Sequence, residues 1–181
     1  MLAIGAALFV GGGFGSSDAY TVDGVENACD LVDPSPLNRW EDQRKTIEHT
    51  ETPAKGDRGG SLRCLIRNQN FYDVAELSVL VSLSSRAEEG YRTWKNLAQI
   101  GTEVVEISGL GQQAYFTSDS DGCHHSADGS CLEYTIGVLD SVLNLQITLL
   151  VEVGDGRAIN DSEVADVARV YAERMMASLR K

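Results

Sequence analysis

The chain is short of the residues on which most catalytic and metal-binding schemes depend. It has three histidines, His49, His124 and His125, so a nucleophile held by a histidine base has little to draw on. No Gly-x-Ser-x-Gly elbow is present. The four cysteines include no Cys-x-x-Cys pair, which excludes zinc-ribbon spacing. The glycine run at 56–60 lacks the Lys-Ser/Thr ending of a phosphate-binding loop and precedes a strand-like segment. Positive charge is scarce too. Against 27 acidic residues there are 15 Lys and Arg, a formal net charge of −12. An acidic surface repels phosphate backbones and anionic lipid head groups, so nucleic acid is not an expected partner. Nothing here calls for a cofactor, and no catalytic residue is assigned.

What is present points to export. Residues 2–14 are an uncharged apolar run that breaks at Ser16-Ser17-Asp18. About 13 residues are too few for a membrane-spanning helix, which needs roughly 20. The run matches the apolar core of a signal peptide without its basic start, so the native N-terminus is expected upstream. Without a following cysteine there is no lipid-attachment site, and without an Ala-x-Ala site a retained anchor is as consistent as a cleaved leader. Residues 1–17 are therefore read as leader or anchor, 18–28 as a polar tether and 29–181 as one domain. Cys29, Cys64, Cys123 and Cys131 allow three pairings. The sequence favours Cys29–Cys64, tying an early helix to a core strand, and Cys123–Cys131, closing a short polar loop between strands. Such bridges stabilise by about 2–4 kcal/mol each and require an oxidising compartment.

The periodicity of the domain is mixed. Asp33-Pro34-Ser35-Pro36 reads as a helix start continued by Leu37, Trp40 and Arg44, with proline in the first turn. Residues 49–61 have loop composition. Leu62, Cys64 and Ile66 alternate with Arg63 and Arg67, and Ala75 to Leu83 alternate with Glu76, Ser78 and Ser82; both are half-buried strands, with Arg67-Asn68-Gln69-Asn70 as the turn between them. Ala87, Tyr91, Trp94 and Ala98 make a helical stripe. Strands are expected at Val105–Ile107, Gln113–Phe116, Leu132–Val138 and Leu143–Val153, with Asp140-Ser141 joining the last two. A final helix begins at Asn160, with Glu163 three residues on as in a capping box, and carries Val164, Val167, Tyr171, Met175 and Leu179 on its apolar stripe. The expected fold is α+β in the order α-β-β-α-β-β-β-β-α: an antiparallel sheet with the helices packed on one face and two disulfides.

Candidate sites compete with plainer readings. The stretch from Thr117 to Asp128 partly imitates a calcium loop, and any metal would fall to Asp119, Asp121, His125 and Asp128. Thr117 stands where that loop needs an aspartate, the last position is Asp rather than Glu, and the flanks are strands, so a solvated hairpin tip accounts for it and no metal site is assigned. Trp40, Tyr91, Trp94, Tyr115 and Tyr134 could line a pocket but fall on apolar stripes, where core packing is the commoner fate. Asn144, Gln146 and Thr148, with Glu76, Ser78 and Ser82, form the polar side of the sheet, either a recognition surface or a solvated face, and are read as solvated.

The segment Ala28-Cys29-Asp30-Leu31-Val32-Asp33-Pro34 resembles the Cys-Asp-Leu-Leu-Asp-Pro opening of a group of actinobacterial envelope lipoproteins of unknown function. Cys64 in the first strand, the Gly109-Leu110-Gly111 turn and the C-terminal helix from Arg174 to Leu179 match features of that group, which is also similar to extracellular sensor domains of mycobacterial receptor kinases. The resemblance implies an envelope protein without known catalysis and carries over no catalytic residue. The missing lipid-attachment cysteine departs from it. The expectation is a non-enzymatic extracytoplasmic domain, anchored through its N-terminal segment, that binds an envelope protein or a small ligand. The alternatives are an accessory subunit of a membrane complex and an enzyme of unfamiliar type using the 117–128 loop.

Overall fold

Alternating apolar and polar side chains become strands here because each strand can then turn one face to a core and the other to water. The computed structural model describes residues 20–55, 59–120, 129–154 and 156–181. Its strands are β1 (Arg44–Thr52), β2 (Ser61–Gln69), β3 (Val74–Leu83), β4 (Val105–Ile107), β5 (Gln113–Asp119), β6 (Ser130–Asp140) and β7 (Leu143–Val153). Helix α1 covers Ala87–Ala98 and α2 Asp161–Leu179. The seven strands form one sheet in the order β1-β2-β3-β7-β6-β5-β4, every neighbouring pair antiparallel.

One face of this sheet carries the main core. Leu62, Cys64, Leu77, Val79, Leu145, Ile147 and Leu149 pack there against Val164, Ala168, Tyr171, Ala172, Met175 and Leu179 of α2. The apolar stripe read from the sequence for this helix is the buried one. Asn160 caps it, its side chain accepting from the Ser162 N–H at 3.1 Å. Glu163 departs from the capping-box expectation, because its carboxylate binds Arg39 at 3.0 Å instead of reaching back. Residues 20–40 complete the cover, with Tyr20, Val22, Cys29, Val32 and Leu37 buried.

Four expectations are corrected. The N-terminal helix is two short 3-10 turns, Ala28–Leu31 and Ser35–Arg39. Glu41 is pulled inward at that point, its carbonyl accepting from Asn68 Nδ2 at 2.6 Å, and the chain turns into β1 rather than continuing helically. The second correction is β1 itself, which takes Arg44 and also His49–Thr52, the start of the expected loop; the order is therefore β-β-β-α-β-β-β-β-α after the 3-10 turns. Third, Arg67–Gln69 belong to β2, and the hairpin turn is Asn70–Asp73.

The fourth concerns the helices, which do not share a face. Helix α1 rests on the opposite side of the sheet from α2, where Ala87 and Tyr91 bury against Tyr115 and Leu139. On β5 and β6 those two residues alternate with Ala114, Ile136 and Val138, which face α2. The Cys29–Cys64 disulfide is present, joining the first 3-10 turn to β2 with Cα atoms 5.1 Å apart. The second expected bridge lies outside the described residues because Cys123 does; its other half, Cys131, sits at the start of β6. Among the described residues no helix is long and apolar enough to cross a membrane.

Candidate functional site

The site is built where α1 meets the sheet. A helix can lie this close to a strand only where side chains are removed, and two glycines inside regular elements provide the room. A Cβ on Gly90, in α1, would stand 2.8 Å from the Asn144 amide nitrogen of β7. A Cβ on Gly137, in β6, would stand 2.3 Å from the Tyr115 ring. That ring therefore lies across β6, covered by Tyr91 with centroids 5.5 Å apart and planes tilted by 60°.

Close approach has left polar atoms stranded. Tyr115 is 0% exposed and Asn144 2% exposed, and among the described residues neither the Tyr115 hydroxyl nor Asn144 Oδ1 has a hydrogen-bond partner. Buried groups of this kind are nearly always paired, since an unmade hydrogen bond costs about 1–3 kcal/mol. Burial pushes the Tyr115 phenol up, and it pushes Tyr91 up to about 12, with Tyr115 and Glu106 adding to the effect. Both phenols are neutral at physiological pH. The trio Tyr91, Tyr115 and Asn144 can thus donate and accept hydrogen bonds, with no group that changes charge near neutrality.

Depressions lie on either side of α1. One of about 360 Å³, wide open to solvent, is lined by Ser84, Arg86, Glu89, Gly90, Thr93 and Trp94. The other, about 260 Å³, is bounded by Tyr91 and by residues 106–114, including the Gly109-Leu110-Gly111 turn in which both glycines take positive φ. Beyond α1 the same sheet face continues, with Thr117 and Thr135 buried on it and Leu65, Ser78, Thr148 and Leu150 half-buried. Its rows read Arg63, Leu80, Gln146; Leu65, Ser78, Thr148, Thr135, Thr117; and Arg67, Glu76, Leu150, Glu133, Asp119. Thr135 and Thr148 hydrogen-bond at 2.9 Å, and Arg67 pairs with Glu76 at 2.5 Å.

The residues singled out from the sequence fall in different places. Tyr91 and Tyr115 meet at α1. Tyr134 is buried on the α2 side, stacked on Phe116 at 5.2 Å, and Trp40 and Trp94 are half-buried. Asn144, expected on a solvated face, is instead under α1. Asp119 ends β5 opposite Glu133, whose carboxyl is pushed up first by partial burial and then by Asp119 and Glu76. Asp121, Cys123, His124, His125 and Asp128 lie outside the described residues. Among the described residues no group of three or more His, Cys, Asp or Glu could hold a metal ion. His49 stands exposed on β1, its Nδ1 3.0 Å from Glu51. That carboxyl is held below its usual range by the Ala28 N–H, with a further contribution from His49. Sequence reasoning missed Gly90, Gly137 and the burial of Asn144. The signal was there: isolated glycines within a helix and a strand mark close backbone approach.

No protein-family model matches this chain, and no curated protein matches it.

Proposed function

We propose that this chain is a non-enzymatic binding domain of the cell envelope, and that its ligand is a small uncharged molecule taken between α1 and the sheet. The single observation that carries the reading is the pair of stranded polar atoms, Tyr115 hydroxyl and Asn144 Oδ1, beneath the helix. Groups that a fold leaves unpaired are groups a ligand can satisfy at a net gain. Asn144 Oδ1 asks for a donor, and the Tyr115 hydroxyl takes either role. Tyr91 and Tyr115 present aromatic faces, which suit a flat or partly apolar body. No cation or carboxylate lies among the three, so a charged ligand would be buried without a counter-ion. The α1 attachment supports entry, because among the described residues the apolar cluster buried in that contact is small: Ala87, Tyr91, Tyr115 and Leu139. Export is supported by the Cys29–Cys64 bridge, which requires an oxidising compartment, and by the apolar N-terminal run.

Native mass spectrometry of the full chain, extracted gently from its own membranes, tests this. The expected result is an adduct of small-molecule mass on the wild type that is lost from the Tyr115→Phe, Asn144→Leu double variant. A bare wild-type monomer overturns the reading. A bound polypeptide in place of the adduct would overturn it in favour of an accessory subunit.

A further inference from the structure

Helix α1 carries a gap along one of its rows. Arg86 at its N-cap, Gly90 and Trp94 are spaced four residues apart and so stand one above another, with Glu89 and Thr93 in the row beside them. Gly90 has no side chain. A slot therefore opens between Arg86 and Trp94, which are about 12 Å apart along the helix axis. These residues, with Ser84, line the depression of about 360 Å³ on that side of the helix. Beneath the gap is Asn144. Its Nδ2 lies 2.8 Å from the point that a Gly90 Cβ would occupy, the residue is 2% exposed, and among the described residues its Oδ1 has no hydrogen-bond partner. The floor of an open depression is thus an unsatisfied amide.

We propose that this slot binds a sugar: a single neutral saccharide ring that rests one C–H face on Trp94 and holds its hydroxyls against Asn144, Glu89 and Arg86. The ligand class follows from the lining. Its two charges are paired with each other, Arg86 Nε and Nη2 both donating to Glu89 Oε2 at 2.7 and 2.6 Å, so a net charge on the ligand gains nothing. Hydroxyls can use both, because a hydroxyl donates to a carboxylate and accepts from a guanidinium. Asn144 makes the same double demand, with an oxygen that accepts and a nitrogen that donates. Neighbouring hydroxyls on one ring meet such opposed roles together, whereas an alkyl or aromatic ligand meets neither. Trp94 is half-buried and lines the depression, and the negative face of an indole suits the polarised C–H groups of a sugar. The lining is held in place by its own bonds: Thr93 Oγ1 donates to the Glu89 carbonyl at 2.9 Å, and Ser84 Oγ accepts from the Arg86 N–H at 3.1 Å. A site this open buries little apolar surface, so affinity has to come from charge-assisted hydrogen bonds, which sugars supply in number. The sugar is the ligand class of the binding function proposed above, and rests on it through Asn144.

Saturation-transfer difference NMR on the full chain tests this, with the methyl glycosides of glucose, mannose, galactose, xylose and N-acetylglucosamine as probes. The expected result is transfer to at least one of them, strongest on the protons of one ring face. Affinity should fall at least about tenfold in Gly90→Ala, whose methyl group closes the way to Asn144, and in Trp94→Ala, while Trp94→Tyr keeps it by restoring an aromatic face. Alanine favours a helix over glycine, so Gly90→Ala should not lower the melting temperature, and its effect is then on the slot. A panel in which no glycoside binds overturns the proposal, and so does binding that Gly90→Ala and Trp94→Ala leave intact. An adduct in the native mass spectrum that the Tyr115→Phe, Asn144→Leu variant loses, with no glycoside bound, strikes out the sugar alone. A missing adduct strikes out the binding function itself.

Discussion

The two faces of the sheet are closed in different ways. Beneath α2 and residues 20–40 lies a continuous apolar core whose polar exceptions are paired, such as the Tyr171 hydroxyl, which donates to the Asp33 carbonyl at 2.9 Å. Where α1 meets the sheet the buried apolar cluster is four residues, and Tyr115 and Asn144 each leave an atom unpaired among the described residues. Helix α2 has nineteen residues and α1 twelve, but length is the lesser difference. Among the described residues the α2 face leaves no fully buried side-chain polar atom unpaired. The α1 face is held by little and has hydrogen-bonding capacity to spare. On the proposed reading, stability and recognition fall on opposite sides of the same strands. The elements with low local stability are the ones expected to open.

Neighbouring residues of β7 give the sharpest way to break this comparison. Leu149 is fully buried on the α2 face, while Leu150 points to the open face and is half-buried. Leu149→Ala should cost about 3–4 kcal/mol through lost burial and the cavity left behind. Leu150→Ala should cost about 1 kcal/mol, because part of its surface already meets water. Urea denaturation of both variants decides it. Equal losses would mean that the open face is as well packed as the core, and the division of labour would fall.

The same asymmetry explains what could be read from the sequence. Strands β2, β3 and β7 and helix α2 were legible because each buries a clean stripe: Leu62-Cys64-Ile66, Leu77-Val79-Val81, Leu145-Ile147-Leu149, and Val164 to Leu179. Edge strand β1 was not, because it has no buried residue to set a period; Arg44 read as the end of a helix and His49–Thr52 as the start of a loop. Charged residues suit an edge that must not pair further. The stripe of α1 was visible, yet a stripe says only that a helix packs somewhere. Which face it takes was written in Gly90 and Gly137, whose missing side chains admit Asn144 and Tyr115. The unpaired atoms themselves could not be read from sequence, because pairing depends on partners distant along the chain.

A smaller effect sharpens the contrast between paired and stranded groups. Removing the Tyr171 hydroxyl with Tyr171→Phe deletes a made hydrogen bond and leaves the Asp33 carbonyl without it, a loss of about 1 kcal/mol. Tyr115→Phe deletes a hydroxyl that has no partner, so the ligand-free protein should be unchanged or more stable by up to about 1 kcal/mol. The expected outcome is a lowered denaturation midpoint for Tyr171→Phe and an unchanged or raised one for Tyr115→Phe. A loss of 2 kcal/mol or more in Tyr115→Phe would show that its hydroxyl is already satisfied, by water for instance.

The smallest effect lies on the open part of the face. Glu133 stands directly across from Asp119 on β5, with Glu76 also near enough to repel it, and its carboxyl is raised above the ordinary value of 4.5 by partial burial and then by those two charges. The folded state therefore holds this proton more tightly than the unfolded chain does. Ionising it costs the fold nothing below the unfolded value, and the cost grows as pH rises through the raised folded value. At pH 7 Glu133→Gln should melt slightly higher than wild type, by less than about 2 °C, because the side chain reaches solvent and its repulsion is screened. At pH 4 the two should melt together. If the variant melts lower at pH 7, the carboxylate is being held by a cation or a donor, and the open face is more fully paired than its neighbour beneath α1.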